Sequence, residues 1–256
     1  MLDRIRYGWR WFATAFSFLL FGVGGILIPV LVIPVLYILP GDKARREQRG
    51  QKFIHIAFRL YVELMRVMGV LTYDVSGIEK LKDASLILAN HPSLLDIVLL
   101  ISFVPNANCV VKGKLLGNPV MRGALKSAGY IINDAAAENV IDAAAEAINS
   151  GHALIVFPEG TRTTPSEPIQ LKRGAANIAI RTETDYTPVL IECIPTTLTK
   201  TDHWYQIPDT KAHFRIQVKD QVAVAQYLND TGSAKAARAL TADLSNFFRQ
   251  ELGTHE

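Results

Sequence analysis

The pattern of apolar and polar positions divides the chain into two unlike parts. Residues 11–41 carry no charged side chain, which makes a run of 31 positions. A helix needs about 20 apolar residues to cross a bilayer, so the run predicts a membrane-embedded helical segment over residues 1–41. From residue 70 onward, short apolar runs alternate with stretches of helical periodicity. This alternation predicts an α/β domain over residues 70–256, with layers built from a mixed, largely parallel sheet flanked by helices.

The alternating part of the chain predicts seven strands and five helices. Pro92 fits the first turn of one helix, where its missing N–H is not needed, and Ser233 fits the N-cap of the last helix. The strands are expected at residues 71–75, 85–89, 109–111, 130–132, 153–157, 189–194 and 214–218. The helices are expected at residues 92–103, 118–127, 135–149, 169–182 and 234–252.

The apolar N-terminal segment has two arrangements open to it. Gly22, Gly24 and Gly25 lie near its middle, and Pro29 and Pro34 lie beyond them; both residue types interrupt helices. The segment therefore forms either a hairpin of two short helices, which enters and leaves the membrane by one face, or another deeply seated form, or else a single tilted span. It is longer than the about 7–15 apolar residues of a signal peptide.

Basic residues collect around this segment. Residues 1–52 hold eight basic and three acidic side chains, although the net charge of the whole chain is only +3. A basic collar around an apolar run indicates an anionic membrane surface as the partner and does not indicate nucleic acid. Residues 42–69 form the next predicted unit, a basic amphipathic helix that packs on the globular domain or lies on the bilayer surface. Its expected apolar face comprises Phe53, Ala57, Leu60, Tyr61, Leu64 and Met68.

Composition narrows the functional classes. Apolar residues make up 49% of the chain and charged residues 20%, which excludes a disordered chain. The two cysteines, Cys109 and Cys193, form no disulfide framework and are typical of core residues. The six histidines show no metal-ligand spacing, and the sequence has no glycine-rich nucleotide loop and no G-x-S-x-G elbow. We therefore expect neither a metal nor a cofactor.

The first candidate site follows the second predicted strand, in residues 90–96 (Asn-His-Pro-Ser-Leu-Leu-Asp). His91 precedes a predicted helix and Asp96 lies in its second turn. Side chains five positions apart do not face each other on a straight helix, but a bend before the helix would allow a hydrogen bond. A helix N-terminus favours a neutral imidazole, and a carboxylate on its other nitrogen fixes the tautomer. The pair fits a general base, or else a helix cap beside a surface acid.

The second candidate site, residues 157–162 (Phe-Pro-Glu-Gly-Thr-Arg), leaves the fifth predicted strand. Its proline ends the strand, and Gly160 permits a sharp turn or a close backbone approach. Arg162 is followed farther along by Lys172 and Arg173. Such cations suit a phosphate or another anion. The alternative interpretation is an ordinary surface turn with a salt bridge.

Together the two runs resemble the glycerolipid acyltransferases, typified by the 1-acyl-glycerol-3-phosphate O-acyltransferase family. Residues 91–96 match the H-x-x-x-x-D motif and residues 157–162 match the F-P-E-G-T-R motif, in the order of the family and at about its spacing. Residues 187–190 (Thr-Pro-Val-Leu) resemble its proline-containing fourth block, and residues 172–175 (Lys-Arg-Gly-Ala) resemble the segment after the second motif. The resemblance covers roughly residues 70–200.

The resemblance implies a membrane-bound enzyme that moves a fatty acyl chain from a thioester, on coenzyme A or acyl carrier protein, to the hydroxyl of a lysophospholipid. The first-choice acceptor is 1-acyl-glycerol-3-phosphate, which gives phosphatidate. His91 is then the general base, without a covalent acyl-enzyme, and Asp96 orients it. A bacterial inner membrane is the expected location, with the catalytic domain on the cytoplasmic face. The implied substrate-binding residues are Glu159, Gly160, Thr161, Arg162, Asn90, Ser93, Lys172 and Arg173.

The chain departs from the family pattern at one point. The family often has a block between the two motifs that ends in an arginine, which helps to bind the glycerol phosphate. Here residues 129–132 (Gly-Tyr-Ile-Ile) are followed by Asn133 and Asp134. An acid at this place repels a phosphate, so a lipid acceptor without phosphate is the alternative substrate. A lipid hydrolase and a non-enzymatic membrane adaptor are the remaining alternatives.

Overall fold

The structure is a computed structural model that describes residues 2–133, 137–163, 167–228 and 232–253. Within these ranges the chain forms seven strands and eight α-helices, and a π-helical turn (Ile28–Val32) joins the first two helices. The strands are β1 (Leu71–Ser76), β2 (Leu86–Ala89), β3 (Ala107–Lys112), β4 (Ile131–Asn133), β5 (Ala153–Val156), β6 (Tyr186–Ile194) and β7 (Ala212–Val218). The helices are α1 (Leu2–Leu27), α2 (Ile33–Ile38), α3 (Lys43–Val67), α4 (Asp96–Phe103), α5 (Pro119–Ser127), α6 (Ala137–Asn149), α7 (Gly174–Arg181) and α8 (Ser233–Glu251).

The strands form one sheet in the order β1-β7-β6-β2-β5-β3-β4. Strands β6, β2, β5, β3 and β4 run parallel, whereas β7 pairs antiparallel with β6 and carries β1 along its outer edge. The predicted α/β class, with a mixed and largely parallel sheet, is confirmed. All seven predicted strands are present, with ends that differ by a few residues.

Helices cover both faces of the sheet, which explains why β2 and β5 are apolar at every position. In β2, Ile87 and Ala89 face the core beneath α3 and α4, whereas Leu86 and Leu88 face the core beneath α6, α7 and α8. The predicted core cysteines, Cys109 and Cys193, are buried free thiols.

Three helix boundaries differ from the prediction. The helix expected at residues 92–103 begins at Asp96, because the bond that would open it at Pro92 is not made: the Leu95 N–H donates to Ser93 Oγ, and His91 O accepts the Thr163 N–H. The helix expected at residues 169–182 is shorter, since the Lys172 N–H donates to Pro158 O and holds the preceding chain against the second motif. In the last helix Ser233 is the first helical residue, and the N-cap position falls on a glycine with no side-chain cap.

The apolar N-terminal segment is one helical run from Asp3 to Ile38, and its length and composition would allow it to cross a membrane. Only 6% of its most apolar 18-residue stretch is buried inside the protein. The predicted hairpin of two short helices within this segment is therefore wrong. Pro29 and Pro34 each occupy one of the first two positions of their element, in the π-helical turn and in α2. Inside a helical run a local π-helical turn accommodates the missing N–H of a proline, so the prolines do not divide the segment.

The chain instead reverses after this helix, and α3 returns along it in antiparallel order. Trp9 Nε1 donates to Met68 O at 2.9 Å, and Tyr61 Oη donates to Ser17 O at 3.0 Å. The N-terminal unit is thus a helical hairpin whose second arm is the basic helix predicted at residues 42–69.

The buried face of α3 is rotated from the expected one. Leu60, placed on the predicted apolar face, is 67% exposed, whereas Ile54 and Met65 are buried. Gly50 sets this rotation, because a Cβ there would lie 2.2 Å from Ser127 O. The helix packs on the globular domain through the side that carries this glycine.

The far part of the N-terminal run docks on α5 through two glycines. A Cβ on Gly25 would lie 2.3 Å from Val120 Cγ1, and a Cβ on Gly123 would lie 1.9 Å from Pro29 Cγ. The two elements therefore touch backbone to side chain, with no room for a methyl group. Close contact joins the apolar helix to the α/β domain at this end.

Candidate active site

Both predicted motifs lie at the carboxyl ends of neighbouring strands. Strand β2 leads into the first motif and β5 leads into the second, and Leu88 of β2 is in register with Val156 of β5. Loops that leave adjacent parallel strands meet at one edge of the sheet, where ligands of α/β proteins bind. The sheet thus brings together two runs that lie 68 residues apart by His91 and Glu159.

The hydrogen bond expected between His91 and Asp96 is present, at 2.9 Å from Nδ1 to Oδ2. Asp96 is the first residue of α4 and not part of its second turn, so the loop before it bends and carries the imidazole over the carboxylate. The same oxygen accepts the Ser93 N–H at 2.7 Å. A carboxylate only accepts, so Nδ1 carries the hydrogen and Nε2 keeps its lone pair.

The environment of the pair is largely apolar. Asp96 is fully buried, while the His91 side chain is 15% exposed. The imidazole stacks on the Phe157 ring at 4.0 Å between centroids. Burial raises the pKa of Asp96; the hydrogen bonds from His91 and from the Ser93 N–H, together with the Arg162 charge, oppose that rise. The imidazole is therefore held by one edge and one face, with a small part left open to a substrate.

Glu159 binds the backbone of the first motif. Its side chain is 5% exposed, and Oε1 accepts the His91 N–H at 2.8 Å. The Thr163 hydroxyl donates to both carboxylate oxygens, at 3.0 and 2.8 Å, and the Thr163 N–H donates to His91 O at 2.7 Å. Burial raises the pKa of Glu159, and the hydrogen bonds from His91 and Thr163 oppose the rise. Glu159 and Thr163 thus fasten the two motif loops together.

Arg162 is held beside the pair by backbone carbonyls. Its Nη1 donates to Leu198 O at 2.8 Å and to Thr199 O at 2.7 Å. The carboxylate of Glu159 accepts hydrogen bonds from His91 and Thr163 instead. The acid and the arginine of the second motif therefore bind different partners and not each other. This geometry does not match the surface turn closed by a salt bridge that was the alternative for this run.

Cationic groups also flank the turn of the second motif. Gly160 has φ +65°, and a Cβ at this position would lie 3.3 Å from Lys172 Nζ. The lysine ammonium therefore lies over the glycine backbone. Arg173 is the N-cap residue of α7, and Thr161 is partly buried in the turn. The structure gathers these predicted residues at one edge of the sheet.

Two predicted substrate-binding residues face the protein. Asn90 is buried; its Nδ2 donates to Ile191 O at 2.8 Å and its Oδ1 accepts the Ile191 N–H at 2.7 Å. Ser93 is fully buried, and its Oγ accepts the Leu95 N–H at 3.3 Å. Both side chains hold the backbone that carries the His91–Asp96 pair.

The sequence interpretation missed three residues of the site. Thr163 directly follows the second motif, so its position was a usable signal. Phe157 was quoted only as part of the motif, although its ring packs on the imidazole. Leu198 holds Arg162 with its carbonyl and has φ +52°; no sequence pattern marks such a backbone contact.

The block that lacks the family arginine is described only in part. Asn133 ends β4 and is in register with Lys112 at the end of β3. Asp134, the acid expected to repel a phosphate, lies outside the described residues. Among the residues that the structure describes, no group of three or more His, Cys, Asp or Glu side chains is arranged to hold a metal ion.

Comparison with known proteins supports the resemblance to the acyltransferases. A family model described as Acyltransferase matches residues 72–192, which contain both motifs and their strands. The chain is similar to this family over these residues. The matched region includes the His91–Asp96 pair, Glu159 and Arg162.

Curated relatives are similar over this domain. Proteins named 1-acyl-sn-glycerol-3-phosphate acyltransferase occur in Cocos nucifera (27% identical over 163 residues, 61% of this chain and 51% of the relative) and in Helicobacter pylori (33% over 114 residues, 42% and 48%). The Saccharomyces cerevisiae protein of that name is 31% identical over 145 residues, 53% of this chain and 48% of the relative. The chain spans about half the length of these curated relatives.

A solved structure extends the likeness of fold to the rest of the chain. The crystal structure of the 1-acyl-sn-glycerophosphate (LPA) acyltransferase PlsC from Thermotoga maritima superposes with a TM-score of 0.72 at 20% sequence identity. The match covers 99% of both chains, so the N-terminal helices and the α/β domain share one fold with that protein.

Proposed function

We propose that this chain is a membrane-bound O-acyltransferase that moves a fatty acyl chain from a thioester to the hydroxyl of a lysophospholipid. The observation that carries the proposal is the 2.9 Å hydrogen bond between His91 and Asp96 at the carboxyl edge of the sheet. The first-choice acceptor is 1-acyl-glycerol-3-phosphate, which the names of the curated relatives support. The product is then phosphatidate.

The chemistry follows from the free Nε2 of His91. As the acceptor hydroxyl attacks the thioester carbonyl, Nε2 takes its proton, and Asp96 stabilises the imidazolium that forms. The tetrahedral intermediate collapses, the carbon–sulfur bond breaks, and the thiolate receives the proton from Nε2. The products are an ester and a free thiol on coenzyme A or acyl carrier protein, so donor and acceptor supply every atom. General-base help of this kind contributes about 10²–10⁴ in rate.

The second motif supplies the acceptor site in this proposal. Arg162 is held by two carbonyls beside Asp96, and Lys172 lies over Gly160. A guanidinium and an ammonium at one edge suit the phosphate of a lysophospholipid. We assign Glu159, Asn90 and Ser93 to positioning, because their polar atoms bind backbone groups of the site.

The exposed face of the N-terminal helix supports attachment to a membrane. Ser17 is buried on the side that faces α3, and Gly25 touches Val120 of α5. Because one side packs on the protein along much of the helix, we propose that it lies in the plane of one leaflet. The cytoplasmic face of a bacterial inner membrane remains the predicted location. The outward apolar side chains are Ile5, Trp9, Phe12, Phe16, Leu19, Val23, Ile26 and Val30.

An acceptor panel tests the reaction. The full chain is given labelled acyl thioesters of coenzyme A and of acyl carrier protein, with lysophosphatidate or an uncharged lysolipid, and products are read by lipid mass spectrometry. We expect phosphatidate from the native chain and none from His91→Ala. Free fatty acid in place of acylated lipid would identify the hydrolase alternative. Preference for the uncharged lysolipid would replace the acceptor, and absence of any acyl product would overturn the proposal.

A further inference from the structure

The segment between β6 and β7, residues 198–209, connects the catalytic loops to the N-terminal helix; we call it the strap. At its first residue, Leu198 O accepts the Leu94 N–H at 3.0 Å and Arg162 Nη1 at 2.8 Å. At its other end, Arg10 Nη1 donates to Pro208 O at 2.9 Å. The strap therefore touches both motif loops and α1.

Aromatic contacts join the middle of the strap to α1. The Trp204 ring lies 6.5 Å from that of Trp11 and 5.8 Å from that of Phe18, between centroids. Trp204 nevertheless stays 45% exposed, and Tyr205 is 48% exposed. The two strap aromatics thus continue the apolar surface of α1 onto the acyltransferase domain.

Exposed apolar side chains concentrate at this place. Beyond residue 70, within the described part of the chain, only six large apolar side chains are exposed, and three of them belong to the strap or to the loop bonded to it, namely Leu94, Trp204 and Tyr205. Single exposed apolar residues are normal, but a grouped patch marks an interaction surface. The other three are Ile78, Ile194 and Leu228.

We propose that the strap is a second membrane contact, with Trp204 and Tyr205 in the headgroup layer of a phospholipid bilayer beside the catalytic loop. Tryptophan and tyrosine prefer this layer, since their rings are apolar and their N–H and O–H groups bind water or headgroups. The occupant is a bilayer because the Trp204 ring contacts Trp11, an apolar side chain of α1 that is itself 43% exposed. The inference rests on the membrane attachment proposed for α1.

The arrangement has a consequence for substrate entry. Leu198 belongs to the strap, and its carbonyl binds Arg162, the cation proposed to hold the acceptor. The same segment therefore carries the proposed bilayer contact and supports the acceptor site. A lysolipid then reaches His91 by lateral movement within the headgroup layer, without leaving the membrane.

Depth-dependent fluorescence quenching tests the contact. The full chain with Trp9→Phe and Trp11→Phe keeps Trp204 alone, and a reference with Trp11→Phe and Trp204→Phe keeps Trp9 alone. Both are bound to phosphatidylethanolamine–phosphatidylglycerol vesicles whose lipids are brominated at shallow or deep acyl positions. We expect quenching of Trp204, stronger with the shallow label. Unquenched Trp204 beside quenched Trp9 would overturn the strap contact and leave the attachment of α1 standing. If neither is quenched, both proposals fail.

A charge variant supplies a test that leaves α1 untouched. Tyr205→Glu places a carboxylate in the proposed headgroup contact, and Ile78→Glu is the matched control at a 44% exposed site away from the strap. Acyl transfer to a lysolipid within vesicles should fall several-fold in Tyr205→Glu, while transfer to a monomeric short-chain lysolipid stays unchanged. The control should lose neither activity. Equal loss in both assays, or no loss with vesicles, would overturn the proposal.

Discussion

Replacement of Glu159 separates a positioning role from a substrate-binding role. Glu159→Ala removes the acceptor of the buried His91 N–H, which lies 2.8 Å from Oε1, and of the Thr163 hydroxyl. Each buried polar group left without a partner costs about 1–3 kcal/mol. Because the Thr163 side chain can reach water, we expect the free energy of unfolding to fall by about 2–4 kcal/mol.

Glu159→Gln is the matched control. The amide oxygen can accept the His91 N–H and the amide nitrogen can donate to the Thr163 hydroxyl, so stability should stay within about 1 kcal/mol of the native value. Thermal and denaturant unfolding in detergent, followed by circular dichroism, measures both variants. The comparison isolates the hydrogen-bonding geometry from the charge.

The same substitution gives a kinetic expectation. In Glu159→Ala the loop that carries His91 loses its tie to the second motif, and a displacement of about 1 Å at a reacting group costs about 10²-fold in rate. We expect kcat to fall by that order, with little change in the KM for lysophosphatidate. Initial rates at varied acceptor concentration give both constants. A variant with native stability and a strongly raised acceptor KM would refute the positioning role and place Glu159 against the substrate.

The buried carboxyl of Glu159 also predicts how the stabilities of the native chain and of Glu159→Gln differ with pH. Burial raises the pKa of Glu159 above the ordinary 4.5, so the fold favours its protonated form. The stability that this group contributes is fully present below the unfolded pKa and is lost as the pH rises through the folded one. The native chain should therefore lose stability relative to Glu159→Gln as the pH rises from about 4.5. A constant difference between pH 4 and pH 7 would contradict the raised pKa.

Three further substitutions have definite outcomes. Asp96→Asn should lower kcat by about 10⁴ while the fold is kept, since an amide does not stabilise the imidazolium; native turnover in a folded variant would remove Asp96 from the mechanism. Arg162→Lys should raise the KM for lysophosphatidate much more than for the thioester, because lysine lacks the bidentate fork, and kinetics with an uncharged lysolipid supply the control. Gly123→Ala should lower stability by about 1–3 kcal/mol through overpacking, because its Cβ would lie 1.9 Å from Pro29 Cγ, whereas Gly117→Ala meets open space and should unfold like the native chain.

The strands and both motif loops could be predicted from the sequence because their signals are local. Four-residue apolar runs mark β2 and β5, and each is followed at once by its motif. Strands buried on both faces in an α/β fold place such loops at one edge. The place of both motif loops at strand ends could therefore be anticipated from the order of the elements.

The remaining features depend on contacts between distant parts of the chain. Pro92 is a valid start signal for a helix, but His91 O, which would accept the first intrahelical bond, accepts the Thr163 N–H of a distant loop instead, and the helix begins only at Asp96. Likewise Gly50 turns α3 toward Ser127, against the apolar face that periodicity favours. Tertiary contacts decide these cases, and no local pattern encodes them.

The position of β1 at the outer edge of the sheet has a consequence for the order in which the chain folds. Thr72 of β1 contacts His213 of β7 across 141 positions, and β1 lies next to β7 alone in the sheet. During synthesis the helical hairpin and β1 leave the ribosome long before β7 exists, so the hairpin is complete while the sheet still lacks its edge pair. Contacts this distant along the chain form late and slowly. Under the proposed attachment of α1 to a bilayer, the sheet would receive its edge pair of β1 and β7 only after the chain is held there.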